Sequence, residues 1–318
     1  MAVAVPGVQT PQTAPTKTSD SQFEGFLRPD QAAPYFEEAR KSSTVMQLAR
    51  QVPVGINGQE FAIHTQKAVA SWVGEGGQKK TTESEIGLRS FKPAKIAAIS
   101  VVSAEVVRAN PGNYMEILRA DIAEAFAIAF DNAVLHGTNA PAAFGAALDT
   151  TTKAVELGSG TTVYQDVVSA LKLLTDDEKR LTGFAFDKKV EPTFLGAVDT
   201  TGRPLFVGGT YTAGQSVVPG SVINRPAYLG DNIATPIVTG TPNTGGVVGY
   251  AGDWSRIIWG VVSGIKFDVS TETTVTIGGN LVSLWENNLV AIRAEAEYGV
   301  LVDDVEHFVK ITDHTAGN

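Results

Sequence analysis

Residues 111–138 read PGNYMEILRADIAEAFAIAFDNAVLHGT, and the architecture turns on them. Asn110 before Pro111 offers an N-cap followed by proline at the first helical position, and Gly137 after His136 offers a C-terminal stop. The spacing predicts one helix of about 26 residues, roughly 39 Å long at 1.5 Å per residue. Ile117, Leu118, Ile122, Ala125, Phe126, Ala129, Phe130, Ala133 and Val134 form an apolar stripe wide enough to lie on a sheet.

Upstream, 59–73 (QEFAIHTQKAVASWV) alternates through Phe61, Ile63 and Thr65, and 86–103 (IGLRSFKPAKIAAISVVS) is a second strand-like run. Together they predict a long two-stranded ribbon over about 59–92, with the polar tip GEGGQKKTTESE at 74–85. Such a hairpin is marginal alone and calls for a partner surface. The segment 34–50 predicts a short helix before a turn at Gly55, Asn57 and Gly58. Residues 1–34, with Pro6, Pro11, Pro15, Pro29 and Pro34 among Gln, Thr and Ser, read as an extended arm.

Downstream the texture changes to small residues and loops. A helix is expected at about 162–174, with Thr175 and Glu178 as a capping box for a further turn. Strands are expected at 183–187, 205–207, 217–223 and 257–262, separated by loops such as 239–249, and two more within 281–312. The class is α+β.

The 318 residues are 43% hydrophobic and only 19% charged, with 32 glycines and no cysteine. Disulfides, thiolate metal sites and cysteine nucleophiles are thereby excluded. Twenty-five basic against 34 acidic residues give a net charge of -9, which argues against sequence-specific nucleic-acid binding. No apolar run approaches the roughly 20 residues that cross a bilayer, and the N-terminus lacks a basic leader, so a soluble, unexported protein with no membrane partner is expected.

A search for chemistry is unproductive. Gln78 stands before Lys79 where a phosphate-binding loop requires glycine, and Ser216 lacks the second glycine of a nucleophile elbow. His64, His136, His307 and His314 have no histidine partner at helical spacing and read as surface or interface residues. Asp176-Asp177 and Asp303-Asp304 read as solvated turns. No cofactor, metal or catalytic set is expected.

Four stretches, in order, resemble the major capsid protein of tailed bacteriophages, the Hong Kong 97 fold. They are the ribbon with SWVGEG and its exit FKPAKIAAISVVSAEVV, the long helix closing at Asp131 to Thr138, FAFDKKVEPTFLGAVDTTGRPLF, and GYAGDWSRIIWGVVSGIKFDVS together with 281–312. The resemblance implies an N-arm (1–34) and a peripheral domain from 35–140 that carries the spine helix and the inserted E-loop. It implies an axial domain over 141–286 and peripheral closing strands over 287–318. It also implies subunit contacts through Trp72, Glu75, Lys79, Lys80, Arg203 and Trp285, with Trp285 either core or interface. Some members of this family weld subunits by an isopeptide bond, and the matching positions here are Lys79, Asn288 and Glu295.

In function, the resemblance implies a structural protein that assembles as hexamers and pentamers into an icosahedral head. It would enclose double-stranded DNA, contacted non-specifically, in the virion, and assemble in the host cytoplasm. Portal and decoration proteins are expected partners. Only about 34 residues precede the body, so scaffolding is expected to be a separate protein or absent. An encapsulin-like nanocompartment is the near alternative, against which the polar, proline-rich arm argues, and an α/β enzyme the distant one.

Overall fold

The computed structural model describes residues 43–66, 68–76, 78–79, 81–82, 85–110, 113–159, 162–197, 206–208, 217–235 and 246–313. The arm 1–34 and Lys80, Arg203, Ser216 and His314 lie outside them.

The chain opens with helix α1 (Thr44–Leu48) and strands β1 (Arg50–Gln51), β2 (Gln59–Gln66), β3 (Glu85–Phe91) and β4 (Ala94–Ser103). Helices α2 (Ala104–Ala109) and α3 (Tyr114–His136), the spine, come next, then β5 (Ala154–Leu157), α4 (Val163–Asp176), β6 (Gly183–Asp187) and α5 (Glu191–Gly196). Apart from 3-10 turns at Trp254–Arg256 and Val305–His307, the elements that follow are strands: β7 (Phe206–Gly208), β8 (Val218–Val222), β9 (Arg225–Gly230), β10 (Val247–Gly252), β11 (Ile257–Ser270), β12 (Thr274–Ile277), β13 (Asn280–Ser283), β14 (Leu289–Val302) and β15 (Phe308–Asp313).

Two sheets organise the body. The first runs β1-β11-β14-β4 and the second β5-β15-β10-β6-β9-β8-β7, while β2 pairs β3 and β12 pairs β13 as separate hairpins. In the four-stranded sheet β14 and β4 pair without a bulge from Leu289↔Ser103 to Tyr298↔Ala94. Ala294 and Ala296, on the face that period-2 alternation aims at the spine, pack against Ile122 and Phe126. Further along the spine, Phe130 meets Trp259 and Tyr298 edge-on at 6.1 and 5.7 Å. The opposite face carries the cross-strand ion pairs Lys95–Glu295 and Arg293–Asp268, with Arg293 and Glu295 also paired along β14.

In the seven-stranded sheet β10 lies between β15 and β6 and is buried along its whole length. Its middle residue must be glycine: a Cβ on Gly249 would sit 2.4 Å from a Phe186 ring carbon and 2.8 Å from the Ala185 carbonyl. Val167, Ala170 and Leu174 of α4 join Phe184, Phe186 and Phe194 in the core of this sheet.

Several expectations need correction. Within the described residues the spine runs from Tyr114, and α2 ends before it at Asn110 in the left-handed region (φ 38°); Pro111 lies outside the described residues. Asn110 nevertheless caps the spine from outside: its Oδ1 accepts from the Met115 N–H at 3.0 Å. Thr175 and Glu178 form no capping box. Helix α4 runs through Thr175, and Glu178 sits beyond its end at φ 56°, with Lys179 N–H reaching the Leu174 carbonyl. Residues 86–103 are two strands split at Lys92-Pro93, since proline cannot donate to a ladder. Residues 247–249, expected in a loop, belong to β10, and β11 extends to Ser270. Strands before and after residues 286/287 share both sheets. Strand β11, from before them, pairs β14, and β15, from after them, pairs β10 and β5.

Candidate assembly surface

The β2–β3 ribbon leaves the body at a root where Phe61 and Phe91 stack at 5.5 Å and Gly58 turns at φ 83°. A Cβ on Gly58 would strike the Phe91 carbonyl at 2.3 Å. Farther out, Val69 N–H donates to Thr82 Oγ1 at 2.8 Å and Gly76 takes the left-handed turn. Trp72 is fully exposed (104%), as are Val69 and Leu88 in large part, and Glu75 and Lys79 stand in solvent. A tryptophan without cover inside its own subunit leaves its apolar area to another surface.

A second apolar group stands on the β12–β13 hairpin. Its inner side chains, Val275, Ile277 and Val282, pack with Leu284 on Val101, Leu289 and Ala291, leaving Leu281 and Trp285 (77%) exposed. Trp285 therefore has no core role within the subunit, since burial is what a core role requires.

The three positions matched to cross-linking are not brought together in one subunit. Asn288 lies at φ 53° on an exposed turn and donates its amide to Glu105. Glu295 lies seven residues along β14, about 23 Å at 3.3 Å per residue. There it pairs with Lys95 at 3.3 Å and Arg293 at 3.5 Å. Among the described residues no hydrogen bond or ion pair joins Lys79 to either.

Other polar residues settle into structural roles. Asp177 pairs with Lys153, Asp303 with Arg256 and Asp304 with Lys179. His136 is half-buried with its side chain largely covered, not superficial, and its Nδ1 lies 2.9 Å from Asp149, which also accepts from the Tyr250 hydroxyl at 2.6 Å. Asp131, five residues earlier on the spine, is buried under Ser43 and Thr44. Reading by period missed both, although a charged residue inside the apolar run IAFDNAVL is itself a signal of a satisfied buried site. Among the described residues no helix is long and apolar enough to cross a membrane, and no cluster of His, Asp or Glu could hold a metal ion.

An elongated helix laid on one sheet, a second sheet beside it and apolar elements projecting from the body define the Hong Kong 97 type of shell-building subunit. The chain belongs to the phage capsid family, whose model matches residues 25–313. It is 44% identical over 321 residues to the probable major capsid protein of Mycobacterium phage L5, covering 96% of this chain and 94% of that protein. The equivalent protein of Mycobacterium phage D29 is 42% identical, with 95% and 94% covered. A solved chain from Mycobacterium phage Bobi shares the fold at a TM-score of 0.68 and 20% identity, covering 92% of this chain and 97% of that one.

Proposed function

We infer that this chain is the major capsid protein of a tailed bacteriophage, a structural subunit of an icosahedral shell and part of the virion. The carrying observation is the family match across 25–313, joined to a ribbon that exposes Trp72 with no cover among the described residues. The proposed working unit is a hexamer or pentamer. In the assembled shell the ribbon, through Trp72, Glu75, Lys79 and Lys80, the β12–β13 hairpin with Trp285 beside it, and Arg203 make the contacts between units. A peripheral unit built on the spine and an axial unit built on β10 accompany the N-arm, and the shell assembles in the host cytoplasm around double-stranded DNA. The excess of acidic residues favours loose, non-specific contact with that polyanion. A separate scaffolding protein, a portal and decoration proteins complete the set of partners.

The test is direct. Purified protein should elute in the void volume of a sizing column and show icosahedral shells by electron microscopy, with nucleic acid inside virions. Enclosed protein cargo instead would assign the nanocompartment role, and a monomer without shells would overturn the reading. Amides of the ribbon should exchange fast in free capsomers and slowly in shells.

We propose covalent joining as a second feature, supported by an exposed Lys79 at the ribbon tip and by Asn288, whose amide already faces the Glu105 carboxylate. The neutral Lys79 amine attacks the Asn288 side-chain carbonyl of another subunit, the C–N bond to the amide nitrogen breaks, and ammonia leaves with the amine's proton. A carboxylate, Glu295 or Glu105, relays that proton. Boiled particles should run as a ladder in detergent that Lys79→Arg or Asn288→Asp abolishes. A single band near 33.5 kDa would overturn it.

A further inference from the structure

Residues 43–54 cross from one sheet to the other. At the start, Ser43 donates its hydroxyl to Asp131 Oδ1 at 2.5 Å and accepts from Met46 N–H as the N-cap of α1. Thr44 and Val45 donate their backbone N–H groups to Asp131 Oδ2 and Oδ1 at 2.8 and 3.3 Å. Val45 itself is buried in the central core beside Phe130 and Trp254. Beyond α1, β1 pairs in parallel with β11, and Val52 N–H reaches the Trp259 carbonyl at 2.8 Å.

Glycines on both sheets make room for this segment. A Cβ on Gly230 of β9 would sit 2.3 Å from Thr44 Oγ1, and one on Gly183 of β6 would press on Leu48 at 3.2 Å. On the other sheet a Cβ on Gly260 of β11 would collide with Val54 at 2.1 Å. The segment is therefore seated against the seven-stranded sheet at one end and the four-stranded sheet at the other, with one buried carboxylate gathering three donors at its start.

We propose that residues 43–54 are a releasable strap across the junction of the two sheets, with Asp131 as its catch. Unseating Ser43, Thr44 and Val45 detaches α1 while both sheets stay folded. The catch is sensitive to protons. Burial pushes the Asp131 carboxyl up from 3.8 to about 7, against the lowering effect of the Ser43, Thr44 and Val45 hydrogen bonds and of nearby His136. The seated state thus holds a proton over a range where a solvated carboxylate has lost it. Seating is strongest in acid and weakens as pH rises through about 7.

The experiment uses full-length unassembled capsomers and hydrogen exchange at Thr44, Val45 and Met46, corrected for intrinsic rates. Protection should fall by about tenfold or more between pH 5 and pH 8, since one linked proton changes an equilibrium by up to tenfold per pH unit. Amides of β10 and β14 should stay protected throughout. Asp131→Asn should flatten the profile. Ser43→Ala, which leaves the carboxylate in place, should lower protection at every pH while keeping the dependence, and it carries the test if the Asn variant does not fold. Unchanged protection across pH in the wild type, or loss of protection in β10 and β14 together with α1, would overturn the strap.

Discussion

The Tyr250 hydroxyl donates to Asp149 at 2.6 Å, tying the middle of the buried strand β10 to the loop beyond the spine helix. His136, the last residue of the spine, closes the group at 2.9 Å from the other Asp149 oxygen. Burial raises the Tyr250 phenol well above its ordinary value, so it stays a neutral donor. Tyr250→Phe should keep the packing and cost about 1 to 3 kcal/mol by leaving the carboxylate short of a partner. Urea unfolding of capsomers measures it, and an unchanged midpoint would contradict this role.

Acid should act through the same group. Burial alone would push Asp149 up, but hydrogen bonds from His136 and Tyr250 outweigh it and hold the carboxyl below 3.8. A depressed acid adds stability that is present above the unfolded value and lost as pH falls through the folded one. The stability curve should drop below about pH 4, with a shallower drop in Asp149→Asn. Asp131 acts in a separate window, between 3.8 and about 7, with the opposite slope.

Glu178 occupies the left-handed position after α4, where glycine carries no Cβ penalty. Its side chain is exposed. Glu178→Gly should stabilise the subunit by about 0.5 to 1 kcal/mol, and a lowered melting temperature would show that the side chain has an unrecognised partner.

Trp72 and Trp285 separate subunit stability from assembly. Both are exposed, so alanine at either should shift capsomer unfolding by no more than about 0.5 kcal/mol. Shell yield, counted by electron microscopy, should fall sharply, because large aromatics dominate interface energetics. Normal yield with lowered stability would place them in the subunit core instead.

Local chemistry was legible wherever it was decided locally. The 3.6-residue period of 114–136 specified the spine, since an apolar stripe has only one way to face a sheet, and Gly137 ended it in the left-handed conformation. The short apolar run at 183–187, bounded by Gly183 and Asp187, was likewise legible as a strand. The residues 247–252 did. VVGYAG has neither period nor charge, and it is a central strand only because β15 and β6 pair with it from distant parts of the chain. Asn110 shows the same limit at one residue, because its side chain caps the spine but the turn it ends belongs to α2.

By itself the sequence determined the class, the ribbon, the spine and the absence of cysteine chemistry, because composition and period act through neighbouring residues. The tertiary structure decided which strands share a sheet. It left Trp285 outside the core, and it brought Asp131 under Ser43 and Thr44, and Asp149 under Tyr250. Those pairings join residues about a hundred positions apart, and burial of a charge becomes favourable only once its donors have been folded around it.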